Sequence, residues 1–166
     1  MAKLPLAKVV PGVEVTESDL RDAASNGRGV LRTVRGTYDV TGGASGATGA
    51  HDLVDENGEP VTVPADAIVV AGGYDVQTTF TSGNDSATLQ LELDDADGND
   101  DDLVAAVAIS NGANAWDQGR HAVIPDWATV GDWIKPTTER RLRVTVGTQT
   151  VTGGKLTAFA VYFASE

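Results

Sequence analysis

Residues 94–102, DDADGNDDD, place six aspartates in nine positions, the densest set of potential metal ligands in the chain. Carboxylate and carbonyl oxygens at alternate positions are what calcium takes. Set against a helix–loop–helix calcium loop, Asp95, Asp97, Asn99 and Asp101 fall on ligand positions 1, 3, 5 and 7. The rest of that pattern is missing. The turn glycine of position 6 is Asp100, and the bidentate glutamate of position 12 is Ala106, inside an apolar run. The alternative is the solvated tip of a β-hairpin, with Leu91 and Leu93 leading in, an Asp-Gly turn at Asp97 and Gly98, and an apolar strand leaving from Leu103. Aspartates so close repel by about 0.8 kcal/mol per pair at ~5 Å in water, which exposure and salt make tolerable. The hairpin tip is the expectation, with Asp95, Asp97, Asn99 and Asp101 as candidate calcium ligands.

Other chemistry is sparse. The two histidines, His51 and His121, stand in no metal-ligand spacing. Ser45 lies in GASGA, which lacks the last glycine of a nucleophile elbow and has no helical pattern after it. Gly27, Gly29 and Arg32 approach a dinucleotide-binding pattern but put arginine where its third glycine belongs. Gly154 and Lys155 approach a phosphate loop but have Gln149 at the first glycine. Both read as ordinary turns. No catalytic residue and no cofactor is expected. Trp116, Trp127 and Trp133 fall within 18 residues; exposed, they would stack on sugar rings, and buried, they would fasten a long connection to the core.

Charge limits the partners. Residues 1–50 hold six Lys/Arg and five Asp/Glu, a net of +1, and residues 103–166 repeat those numbers; residues 51–102 hold no Lys/Arg and 14 Asp/Glu, a net of −14. A base-free acidic segment repels phosphates, so neither nucleic acid nor a membrane surface is an expected partner. The chain has no cysteine, which removes disulfides and thiolate metal sites. Pro5, Lys8 and Pro11 interrupt any leader-like apolar stretch near the start.

These features need elements to carry them. Residues 1–15 read as an extended arm with two prolines and with Leu4, Leu6, Val9, Val10 and Val13. Such side chains gain free energy only by docking, on this subunit or on a partner, at about 25 cal/mol per Å². Thr16 and Asp19 start one short helix that Asn26 and Gly27 end. From there residues 16–166 form a single domain of strands. Val30, Val34, Tyr38 and Val40 share a face with Arg32 intruding; Gly42 to Gly49 is a flexible loop; Asn57-Gly58 is a hairpin turn. Ile68, Val70, Tyr74, Val76 and Phe80 alternate across a bulge at Gly72-Gly73. Ala87, Leu89, Leu91 and Leu93 alternate with polar residues, as do Leu142, Val144 and Val146. LVAAVAI at 103–109 and LTAFAVYF at 156–163 are apolar on both faces and call for cover on both sides. About eight strands without βαβ alternation predict an all-β fold, an antiparallel β-sandwich of jelly-roll type.

The run VPADAIVVAGGYDVQTTFTSGNDSATLQLEL, the Asp/Gly-rich loop, LVAAVAIS, and RRLRVTVGTQTVTGGKLTAFAVYF together resemble β-sandwich virion proteins of tailed bacteriophages, and through them the capsid decoration, or cement, proteins. The resemblance spans about residues 62–164, with ESDLRDAASNGRGVL before it as the entry to the domain and 41–60 as an insertion. It implies a non-enzymatic homotrimer on the outside of a capsid shell, made in the host cytoplasm, whose partner is the major capsid protein. Lys3, Leu4, Leu6, Lys8, Val9 and Val10 of the arm would then contact the shell or a neighbouring subunit. A carbohydrate-binding head-fibre or tail knob, using Trp116, Trp127 and Trp133, is the alternative.

Overall fold

A computed structural model describes residues 30–94, 102–110, 115–123 and 136–164. They form nine strands and, among the described residues, no helix: β1 (Val30–Asp39), β2 (Gly49–Asp52), β3 (Thr62–Val63), β4 (Ile68–Ser82), β5 (Thr88–Leu93), β6 (Asp102–Ala108), β7 (Gly119–Val123), β8 (Arg140–Gly147) and β9 (Val151–Ala164). The expected arm at 1–15 and the expected short helix lie outside the described residues, as do Asp95, Asp97, Asn99, Asp101, Trp127 and Trp133.

The strands pair antiparallel into two sheets, ordered β1-β9-β4-β7 and β2-β8-β5-β6, with β3 against β8. Partners run from outside to inside along the chain: β1 with β9, β2 with β8, β4 with β7, β5 with β6. That nesting is one long antiparallel ribbon rolled up, and the fold is a jelly roll. Alternation supplies the core. Leu89, Leu91 and Leu93 of β5 and Leu142, Val144 and Val146 of β8 point inward from one sheet, against Tyr74, Val76, Leu156, Ala158 and Ala160 of the other.

Several expectations change. Residues 41–60, the segment expected to be an insertion, contain β2, an edge strand of the second sheet. The loop after β1 is tied at several points: Tyr38 Oη donates to Ser45 O at 2.8 Å, and Gly46 O accepts the Val151 N–H at 2.9 Å. Gly72 and Gly73 pair in regular register with Ala160 and Phe159; the register shifts fall instead between Val69 and Ala71 and at three places from Val76 to Ser82. Gly154 and Lys155 lie inside β9, not in a turn. There the absent Cβ of Gly154 leaves room for the Phe80 ring, and Lys155 pairs with Asp39 at 2.8 Å.

Strands β2 and β3 are collinear along β8, since Asp52 stands opposite Arg143 and Thr62 opposite Arg141. Residues 53–61 leave that line as a short loop. Leu53 donates to Leu142 O at 2.8 Å, and Val61 O receives the Leu142 N–H at 2.9 Å, so both bases of the loop are fixed to one residue. Its tip is the expected Asn-Gly turn, held by Asp55, whose Oδ1 accepts the Asn57 and Glu59 backbone N–H groups at 2.8 and 3.0 Å.

Two strands are less enclosed than their composition predicts. Among the described residues strand β6 is an outermost strand of its sheet, and it exposes Ala105 and Ala106. Strand β9 is central and buries Leu156, Ala158, Ala160 and Tyr162, yet its other face leaves Phe159 and Phe163 open. No neighbouring element among the described residues covers that side.

Candidate functional site

Six ring-bearing side chains among the described residues lie in one row through the sandwich. His51 stacks on Tyr38 (5.4 Å between ring centroids), Tyr38 on Phe80 (6.1 Å), Phe80 meets Trp116 edge-on (6.5 Å), Trp116 tilts against Tyr74 (5.2 Å), and Tyr74 stacks on His121 (4.7 Å). All five separations suit attractive aromatic contact. Trp116 sits at the centre, 0% exposed, with its Nε1–H on Val107 O at 3.0 Å. Its indole therefore has no open face for a sugar. Tyr74 Oη donates to Ala115 O at 2.9 Å, fixing the same connection. Burial pushes the Tyr38 phenol up to about 12 and raises that of Tyr74.

The histidines close the two ends of this row. His51 Nε2 lies 2.7 Å from Ala47 O and His121 Nε2 lies 3.4 Å from Asp117 O, both backbone partners. Ser45 Oγ accepts the Ala47 N–H at 3.3 Å. Among the described residues no three His, Asp or Glu side chains gather into a group able to hold a metal ion, and no helix is long and apolar enough to cross a membrane.

The two outer surfaces differ in chemistry. On the second sheet, Arg143 of β8 bridges Asp52 of β2 (3.1 Å) and Asp94 beyond β5 (2.6 Å), while Arg141 joins Asp52 at 2.8 Å. Thr145 donates to Glu92 on the same face. Asp94, first of the acidic stretch, is also anchored through its backbone, donating N–H to Arg141 O at 2.7 Å and accepting from Arg140 Nη1 at 3.0 Å. Glu92 pairs with Asp102 across the β5–β6 ladder, so the acidic stretch bridges two antiparallel strands, as a hairpin requires.

On the first sheet the outer face is apolar at one end. Leu31 of β1 stands opposite Phe163 of β9, which stands opposite Ile68 of β4. One step along β9, Thr33 faces Val161, and one further, Arg35 faces Phe159. Sequence alternation hid this face, because strands apolar on both sides read as doubly covered. The signal that could have found it was Leu31 beside polar Arg32 and Thr33 at the entry to β1.

No family model matches the chain, and none of the curated proteins matches it. Solved structures do. A chain of the acidic stable capsid structure of Helicobacter pylori bacteriophage KHP30 superposes with a TM-score of 0.53 at 12% identity, over 82% of this chain and 90% of that one. What is shared is the fold. Chains of the cyanophage Pam1 capsid asymmetric unit (TM-score 0.49, 20% identity, 81% and 85% covered) and of the capsid of Ralstonia phage GP4 (0.49, 17%, 83% and 86%) also match.

Proposed function

We propose that this protein is a structural component of a tailed-phage virion that binds the outside of the capsid shell as a decoration, or cement, protein. The observation that carries the reading is the fold common to this chain and the KHP30 capsid chain, matched over 82% of this chain and 90% of that one. An outer sheet of paired charges and an acidic hairpin suit a particle surface that must stay soluble at high display density. The open apolar face and the apolar arm suit a subunit that is completed by contact.

In this reading the chain is a homotrimer, and Lys3, Leu4, Leu6, Lys8, Val9 and Val10 engage the major capsid protein or a neighbouring subunit. Repetition over a symmetric shell turns weak single contacts into firm attachment. Binding of the purified protein to shells that lack it tests the reading. Saturable occupancy of symmetry-related outer positions in an electron cryomicroscopy map is the expected result, and absence of any density on such shells would reject it. Deleting residues 1–12 should lower occupancy without unfolding the sandwich. Light scattering of the free protein checks the trimer.

A further inference from the structure

The outer face of β1, β9 and β4 carries Leu31, Phe163 and Phe159 at 57%, 42% and 38% exposure, with half-buried Val161 between the two phenylalanines. Taking about 200 Å² for each whole side chain, these exposures leave roughly 270 Å² of open apolar surface. A stable interface between two proteins needs about 800 Å² from each partner. A second copy packed face to face would therefore bury too little to offset its lost translational and rotational freedom, and each copy carries a net charge of −12.

A tethered segment meets a smaller cost, that of loop closure, which rises slowly with length. The chain has such a segment. Residues 1–29 enter the fold at Val30, opposite Ala164, at the corner where Leu31 and Phe163 stand. In the arm Leu4, Leu6 and Val10 fall on one parity. Extended chain spaces Leu4 and Leu6 about 6.7 Å apart, the spacing of neighbouring residues among Phe159, Val161 and Phe163 along β9, and sets Val10 about 13 Å beyond Leu6 with Lys8 between them.

We infer that the outer face of β1, β9 and β4 is a docking surface for an extended apolar segment, and that in the free subunit it holds the chain's own residues 4–10. The inference does not rest on the capsid reading, since face and arm belong to one chain. Engagement of the arm by another protein uncovers the face.

The absence of native cysteine allows a direct test in the full-length protein. Thr33 is exposed on this face beside Val161. Pairing Thr33→Cys with Ala7→Cys, or with Lys8→Cys, should give an intrachain disulfide on mild oxidation, found by peptide mapping in material of monomer mass. Disulfide-linked dimers between tagged and untagged copies would instead assign the face to a second copy's arm and overturn the inference. Absence of any crosslink with both arm positions would overturn it as well. As a second readout, deleting residues 1–12 should raise the fluorescence of an apolar dye several-fold, and adding Phe159→Ser with Phe163→Ser should abolish that rise. Unchanged dye fluorescence after the deletion counts against it, with the shielded emission of Trp116 as the check on folding.

Discussion

Thr37 and Val54 exchange both backbone hydrogen bonds, Thr37 N–H to Val54 O at 2.8 Å and Val54 N–H to Thr37 O at 3.1 Å. Thr37 belongs to the edge of one sheet, while Val54 lies in the loop that interrupts the edge of the other. The exchange therefore stitches the open side of the sandwich. It requires close approach at Gly36, where a Cβ would lie 2.7 Å from Leu53 Cβ and 2.9 Å from Val61 Cγ2. Gly36→Ala should cost about 1–3 kcal/mol by overpacking. Urea melts check the value; an unchanged midpoint would mean that the stitch is not tight.

Trp116 should behave as a core residue. Trp116→Ala is expected to destabilise by roughly 3–5 kcal/mol. With Trp127→Phe and Trp133→Phe in place, the remaining indole should resist acrylamide quenching and ignore added host glycans.

Arg143 links Asp52 and Asp94 with only 19% of its side chain exposed. Arg143→Ala removes the cation that Asp52 and Asp94 share, leaving Asp52 with Arg141, and should cost about 1.5–3 kcal/mol. The loss should shrink at high salt, since exposed charges are screened. Chemical denaturation at two ionic strengths measures both.

Two pH responses follow from opposite shifts. The Tyr38 phenol is pushed up to about 12 by burial, so the folded state keeps its proton more tightly than the unfolded chain. Its contribution is whole below the unfolded value near 10 and is lost as pH rises toward 12. At the acid end, Lys155 first and the Gly42 N–H second hold the Asp39 carboxyl below its ordinary value, and backbone N–H groups of Glu59 and Asn57 do the same for Asp55. That support is present above the unfolded carboxylate value near 4 and disappears as pH falls through the lower folded values. Melting temperature against pH should fall at both ends, and Asp39→Asn should flatten the acid limb.

The acidic stretch at 94–102 is expected to be a surface device and not a metal centre. Replacing Asp95, Asp97, Asp100 and Asp101 with Asn should leave the melting temperature unchanged or slightly higher, most visibly at low salt. A melting temperature that rises with millimolar calcium and falls with chelator would reverse this.

Period-two alternation made the sandwich legible, because one buried face per strand is written directly into Leu89, Leu91 and Leu93 and into Leu142, Val144 and Val146. About eight such strands without βαβ alternation were enough to anticipate an antiparallel sandwich of jelly-roll type. Glycine misled where its use was packing rather than turning: Gly73 makes room for Phe159, and Gly154 for Phe80. Strand β2 escaped notice because GAHD has neither alternation nor β-branched residues; its place is set by β8. The open face on β9 was illegible for a related reason. Apolar residues on both sides of a strand state a need for cover without naming its source.

The unbroken ten-residue register of β1 on β9, from Val30 opposite Ala164 to Asp39 opposite Lys155, has a mechanical meaning. A pull on the arm resisted at the far end of the sandwich loads the whole ladder in shear, so its bonds share the force. A pull between Val30 and Ala164 peels the same ladder one pair at a time. How a subunit is roped to its surroundings thus decides whether this seam acts as a rivet or as a zip.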